Sequence, residues 1–429
     1  MWNLLLSRRF LARDSAAPAA VAIQARDPAT PPELLAELAD HGSREVRLLA
    51  AANPATPGDT LLTLSLADDS EAMGLALAGN PATDAWMLGD LLASSGHRAV
   101  RMAVAQSELA PLEALAALAV DYDEAVRAAA GARLARLPLQ EVQALACDFN
   151  ADVRAAIAAN PLTSLEVLTL LAEDDSERVR SLVAGHDHAS VRILACLGRD
   201  EDPLVLLAVA AHPRTPPETL AVLAGAHDST IQGMVALHRA TPGTILSELA
   251  RHPEILVRYQ VAGNPGTPPA GLARLADDAR PEVRRRAAWN AGLPEESLTR
   301  LAGDADELVR VVVAHNPGIP PPALARLAQD SDPLVRIVVA RHERTPPEVL
   351  DRLAGDSDDL VREAVAAHVG SWSQTLTRLA QDGNEDIRLA VAENQKTPAA
   401  VLAHLAQDPA TEVGATAAQN PAFDQSHLL

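Results

Sequence analysis

From Asn160 onward a polar residue recurs with an unbroken step of 26: Asn160, His186, His212, His238, Asn264, Asn290, Asn316, His342, His368, Asn394 and Asn420. Before it the same position falls at Asp27, Asn53, Asn80, Gln106 and Arg133, at steps of 26 or 27. This period constrains the fold more than any other feature. A copy of that length cannot enclose a core of its own, so copies must stack and bury their apolar faces against their neighbours.

The cleanest copy runs from His342 to Ala367, HERTPPEVLDRLAGDSDDLVREAVAA. Its opening, Thr345-Pro346-Pro347-Glu348, reads as a capping box in which the Thr hydroxyl caps a helix whose first turn holds the prolines. Val349, Leu350, Leu353 and Ala354 then share one helical face. Gly355-Asp356-Ser357-Asp358 breaks the run, and Leu360, Val361, Ala364 and Val365 form a second. Each helix is too short to stand alone in water. The expectation is an all-α solenoid of about fifteen two-helix layers. Residues 1–26 are read as a cap helix and a half repeat, residues 27–420 as one continuous array, and 421–429 as a short tail. Within the first segment Trp2, Leu4, Leu5, Phe10 and Leu11 would form the apolar side of the cap.

Aromatic residues make up 2% of the chain, so the core has to be Leu, Val and Ala. A net charge of −21 argues against nucleic acid and anionic membranes as partners, since both demand a basic field. Cys147 and Cys196 lie nearly two repeats apart. At about 10 Å per stacked layer they stand beyond disulfide reach, which suits a reducing, cytoplasmic setting. Leu4–Leu6 is too short for a signal-peptide core, and no apolar run approaches membrane-spanning length.

The strongest polar pattern is Asp followed six residues later by Arg: Asp121/Arg127, Asp148/Arg154, Asp174/Arg180, Asp278/Arg284, Asp304/Arg310, Asp330/Arg336, Asp356/Arg362 and Asp382/Arg388. Catalysis needs one pair in a unique environment; many equivalent pairs read as a ladder. In it Asp accepts backbone N–H bonds and Arg ties it to the next layer. The pattern lapses at Asp200/Leu206, Ala226/Gln232, His252/Arg258 and Asp408/Gly414, which predicts a softer zone around 200–258. His186, His212 and His238 occupy successive layers, too far apart to share a metal ion at ligand distances of about 2 Å. Arg274, Arg300, Arg326, Arg352 and Arg378 form a second column, each four residues before the Asp of its own copy. Arg326 with Asp330 is the example, at helical pairing distance.

Variation within a strict repeat marks positions free of the core. On the second helix the positions five and one before the polar anchor share a face, and they vary most. Tyr259, Arg285, Trp289, His315 and Arg341 would form a cationic and aromatic patch there, of residue types that interfaces favour as anchors. α-Solenoids generally line their concave side with this helix.

The Asn-Pro-x-Thr-Pro-Pro-Glu-x-Leu-x-x-Leu-Ala-x-Asp-x-x-x-x-Val-Arg-x-x-Val-Ala pattern, seen in Asn53–Thr56, Thr215–Leu220 and Asp330–Ala340, resembles the leucine-rich repeat variant family over roughly Asp27 to Asn420. The Asp-to-Arg spacing is also similar to HEAT repeats. The resemblance implies a right-handed solenoid in which an α-helix alternates with a shorter helix, often 3₁₀. Some relatives carry an iron–sulfur cluster in an N-terminal cysteine-rich extension. No cysteine precedes Cys147 here, so that cofactor does not carry over, and the family supplies no catalytic activity to transfer.

No phosphate-binding glycine loop, nucleophile elbow, Cys-x-x-Cys or His-Glu-x-x-His motif is present. The expected function is a non-enzymatic scaffold, without cofactor or metal, that binds a protein or peptide partner on its concave face. The alternatives are a nucleic-acid-binding or base-repair HEAT-like protein, which needs a basic concave field, and a lyase or chaperone acting on a cofactor-bearing protein.

Overall fold

The computed structural model describes residues 18–134 and 136–423. Among these every regular element is a helix and no strand occurs. The chain divides into two compact units, Met1–Arg214 and Thr215–Leu429. The expected cap over Met1–Asp14 and the tail from Asp424 lie outside the described residues.

In the second unit each layer is a seven-residue helix followed by a nine-residue helix, as in Pro347–Leu353 and Asp359–Ala367. Both are α-helical. The second element is therefore the longer of the two, and the 3₁₀ geometry that the family resemblance implies is not found among the described residues. The reason is local: Asp358 caps the second helix by accepting from the N–H groups of Leu360 and Val361, and nine residues without glycine or proline then propagate an α-helix.

Thr345 does not cap the first helix. Pro346 occupies the N-cap without a side-chain bond, and the Thr345 hydroxyl donates backwards to the carbonyl of Val339, at 2.6 Å. Two consecutive prolines leave few donors in the first turn to be capped, whereas the preceding long helix ends in orphan carbonyls. Thr56, Thr163, Thr241, Thr267 and Thr397 repeat this bond.

The core consists of columns through the layers. Leu298, Leu324, Leu350 and Leu376 are fully buried, as are Val309, Val335, Val361 and Ile387, and Ala314, Ala340, Ala366 and Ala392. Alanine in the last column lets adjacent long helices approach closely.

The polar anchors run as a second spine. Asn316 donates through Nδ2 to the carbonyls of Ala288 (2.6 Å) and Asn290 (3.2 Å) in the preceding layer, and its Oδ1 accepts from the N–H of Gly318 (2.8 Å). Histidine can stand in because it offers the same pair of functions: His342 bonds the Asn316 carbonyl through Nε2, and its Nδ1 accepts from the N–H of Arg344. That arrangement fixes the neutral tautomer. Burial accordingly pushes the His342 and His368 pKa values below the ordinary 6.5, against a smaller upward pull from the backbone bond. A depressed folded value contributes stability that is complete above pH 6.5 and declines as pH falls below it, because the unfolded chain takes up the proton first. Calorimetry between pH 7.5 and 5 should show the melting temperature falling, and the fall should shrink in the His342→Asn, His368→Asn double variant.

The first unit follows the same scheme with departures where its copies are irregular. Met87–Leu92 is π-helical, and the long helix Glu124–Leu134 extends to eleven residues. The next long helix, Ala151–Ala159, packs on Leu112–Leu118 and barely meets Glu124–Leu134.

Candidate functional site

In the six long helices from Ile255–Gly263 to Glu385–Glu393 the third, seventh and eighth residues point into the core and the fourth is the ladder arginine. The fifth and sixth are half-buried or buried, as at Val311, Ile337, Val338 and Ala364, and the second and ninth are left outside.

Arg310 shows what a ladder rung is. Its Nε and Nη2 bond both carboxylate oxygens of Asp330 in the next layer, at 2.6 and 3.0 Å, while Nη1 donates to the carbonyl of Asp304 in its own (2.8 Å). Nine such bidentate rungs occur among the described residues. Arg101–Asp121, Arg284–Asp304, Arg336–Asp356 and Arg362–Asp382 are four more. Burial pushes the Asp330 carboxyl up, but Arg310 and the Asp332 N–H more than offset this and hold it below the usual range. The rungs stabilise layer stacking, and such repeated, satisfied pairs leave no carboxylate for acid–base work.

The lapses read from the sequence are narrower than expected. Asp200 and Asp408 still accept from Arg180 and Arg388, and Arg258 still donates to Asp278; Leu206, Gln232 and Gly414 are the positions among these that lack the arginine. The short-helix arginines do not pair within their own copy. Asp330 is taken by Arg310, and the arginines reach back one layer instead: Arg300 to Asp277 (2.9 Å), Arg352 to the Ala325 carbonyl, and Arg378 to Asp351.

The five variable positions fall on four successive long helices, Trp289, His315 and Arg341 exposed at the ninth position and Tyr259 and Arg285 half-buried at the fifth. Trp289 is 63% exposed, and its ring lies 6.4 Å from that of His315; His315 Nδ1 bonds the Val311 carbonyl at 3.0 Å. Tyr259 is half-buried, and the guanidinium over its ring belongs to Arg286, at 5.3 Å, rather than to Arg285. Arg286 also lies across Gly263, where an added Cβ would come within 2.3 Å of its Nε, and that Nε is buried without a hydrogen-bond partner. Arg285 is half-buried and Arg341 exposed; no hydrogen bond or ion pair joins either to the other four.

Leu308, Leu334 and Leu360, the second residues of three consecutive long helices, complete this face at 46%, 48% and 53% exposure. Leu256, on the first of the four helices, is exposed at the same position. Sequence reasoning missed this row, because a leucine that recurs at one position of the repeat looks like a core column. Its phase, one residue and so about 100° out of step with the buried stripe of Val309 and Val313, was the available signal.

Metal chemistry finds no support at the histidines. His186 and His212 each bond a carbonyl of the preceding layer through Nε2 and accept a backbone N–H at Nδ1. Among the described residues no group of three His, Cys, Asp or Glu side chains could hold an ion, and no helix is long and apolar enough to cross a membrane.

The sequence model of the family described as leucine rich repeat variant matches residues 307–332. Among solved structures, "a leucine-rich repeat variant with a novel repetitive protein structural motif" is 28% identical over 52% of this chain and 88% of that one, with a TM-score of 0.41. A mutant of Kap121p is 12% identical, over 95% of this chain and 59% of that one (TM-score 0.35). Importin beta is 14% identical over 97% and 64% (TM-score 0.32); the chain thus spans less than two thirds of either. No curated protein matches. The chain is a helical repeat array similar to the leucine-rich repeat variant family, and the family match falls on the layer at 307–332.

Proposed function

We propose that the protein is a non-enzymatic scaffold whose long-helix face, between Ile255 and Ala367, binds a protein or peptide partner. The observation that carries this reading is the row Leu308, Leu334 and Leu360, exposed in register beside the Trp289–His315 ring pair. Single exposed leucines are ordinary on any surface. A row repeated at about 10 Å layer spacing, flanked by Trp, Tyr and Arg, gives a partner crossing the layers one apolar contact per layer and aromatic anchors at one end. Tyr259, Arg285, Trp289, His315 and Arg341 supply the specificity. Two exposed thiols, Cys147 and Cys196, suit a reducing compartment, and a cytoplasmic location belongs to the proposal.

A photo-crosslinking residue at position 334 should trap a discrete partner in the native host, while the same residue at position 352, on the short helices, should not. Trp289→Ala combined with Leu334→Asp should lower affinity for the trapped partner by about a hundredfold, as expected for an interface anchor, with helicity unchanged. Equal trapping at both positions, or unchanged affinity, would refute the assignment.

A further inference from the structure

At Arg127, as at Arg47, a ladder arginine is present without its rung, and beside Arg127 a cavity opens. In all nine rungs the arginine and its aspartate are twenty residues apart, as at Arg101–Asp121 and Arg154–Asp174. Between Gln106 and Asn160 the copies are 27 residues long, so the aspartate due to meet Arg127 is Asp148, one residue further on. Arg127 keeps its bond to the Asp121 carbonyl, at 2.6 Å. Its Nε and Nη2 edge meets no carboxylate among the described residues. The long helices Glu124–Leu134 and Ala151–Ala159 barely meet, and a cavity of about 850 Å³ runs along Glu124–Leu134, bounded by residues 119–122, residues 159–162 and, from the long helix Glu177–Ala184, Arg178 and Leu182. Arg127 and Arg178 supply its cations; Ala128, Ala132, Leu162 and Leu182 line its apolar wall.

We propose that this cavity binds a small organic carboxylate with an apolar body, its carboxylate taking the place on Arg127 that an aspartate takes in every complete rung. The array itself shows what this fork accepts: two carboxylate oxygens at about 3 Å, in a planar bidentate pair. The volume is that of a small-molecule site. The one carboxylate facing Arg127 from within does not compete. Asp121 is held by Arg101 at 2.6 and 3.2 Å and by the Asp123 N–H at 2.8 Å. Arg178 is a second cation at the wall, paired with Asp152 at 2.5 Å, on the surface. Glu124 is exposed at the rim. This site is independent of the long-helix face of the second unit.

Calorimetric titration of the full chain with 2-naphthoate tests the proposal. Binding on the order of 0.1 mM is expected for a ligand of that size, with the uncharged 2-naphthamide at least tenfold weaker. Arg127→Ala should cost about tenfold or more. Ala128→Trp, which sets an indole against the apolar wall beside Arg127 and leaves the arginine in place, should weaken binding by about tenfold or more even if the first variant proves unstable. N-acetylglutamate amide carries the carboxylate without the apolar body and stands for an acidic side chain of a protein partner; it should not displace naphthoate. No heat with the unaltered protein, equal binding of acid and amide, full binding by Ala128→Trp, or displacement by the glutamate derivative would each overturn the assignment to a small apolar acid.

Discussion

Arg310→Ala is expected to lower the stability of the second unit by about 3 kcal/mol, the largest loss from any single surface-facing substitution here. The removed guanidinium satisfies both oxygens of Asp330 and the Asp304 carbonyl. The side chain of Asp330 is 7% exposed, so water cannot replace it fully. The carboxylate is then a buried charge with only the Asp332 N–H left to hold it. Burial, now opposed only by the Asp332 N–H and the charge of Arg336, should drive its pKa upward, so the variant should regain relative stability as pH falls through the ordinary carboxylate range. The unaltered protein does the opposite: the lowered Asp330 value contributes stability that is full above about pH 4 and is lost below it. Urea unfolding at pH 7 and pH 4 reads both effects. Arg310→Met with Asp330→Leu should recover most of the loss, because an apolar pair replaces the charges. If the double variant is no better than the single, stacking is not held through the rung.

Asn316→Ala should cost about as much, roughly 3 kcal/mol, through three unmade bonds. The side chain is 2% exposed, and its removal strands the Ala288 and Asn290 carbonyls and the Gly318 N–H away from water. Asn316→His separates this account from a general intolerance of change. His342 performs the same two functions one layer on, so the substitution should cost less than about 1 kcal/mol at pH 8. It should also add a decline in stability below pH 6.5. Hydrogen exchange at the layers on either side would show whether the damage stays local, as nearest-neighbour stacking predicts.

Much of this molecule is legible in the order of its residues. Period, paired helices, buried Leu, Val and Ala columns and the interlayer role of the Asp–Arg pairs follow from spacing alone, because every layer repeats the same solution. What spacing conceals is direction. Thr345 has a hydroxyl that could serve the helix ahead or the one behind, and the orphan carbonyls of the preceding long helix take it, as they do at Thr163, where no proline follows. Arg326 lies at pairing distance from Asp330, yet a better-placed guanidinium already holds that carboxylate. Arg285 and Arg286 are adjacent in the chain, and which of them covers Tyr259 depends on the space left by Gly263. Leu308 and Leu350 are the same residue type, one outside and one inside, so composition could not tell a contact surface from a core.

The rung geometry has an evolutionary corollary. Since each copy brings one clasp and one eyelet at a fixed offset, a whole copy can be duplicated or excised at any joint and the new neighbours fasten as the old ones did. A single inserted residue undoes the fastening at one joint and leaves the rest intact. Such an array can change its span in whole steps at little cost to folding, and it gains an irregular joint, open to a specialised use, only where the count slips by one.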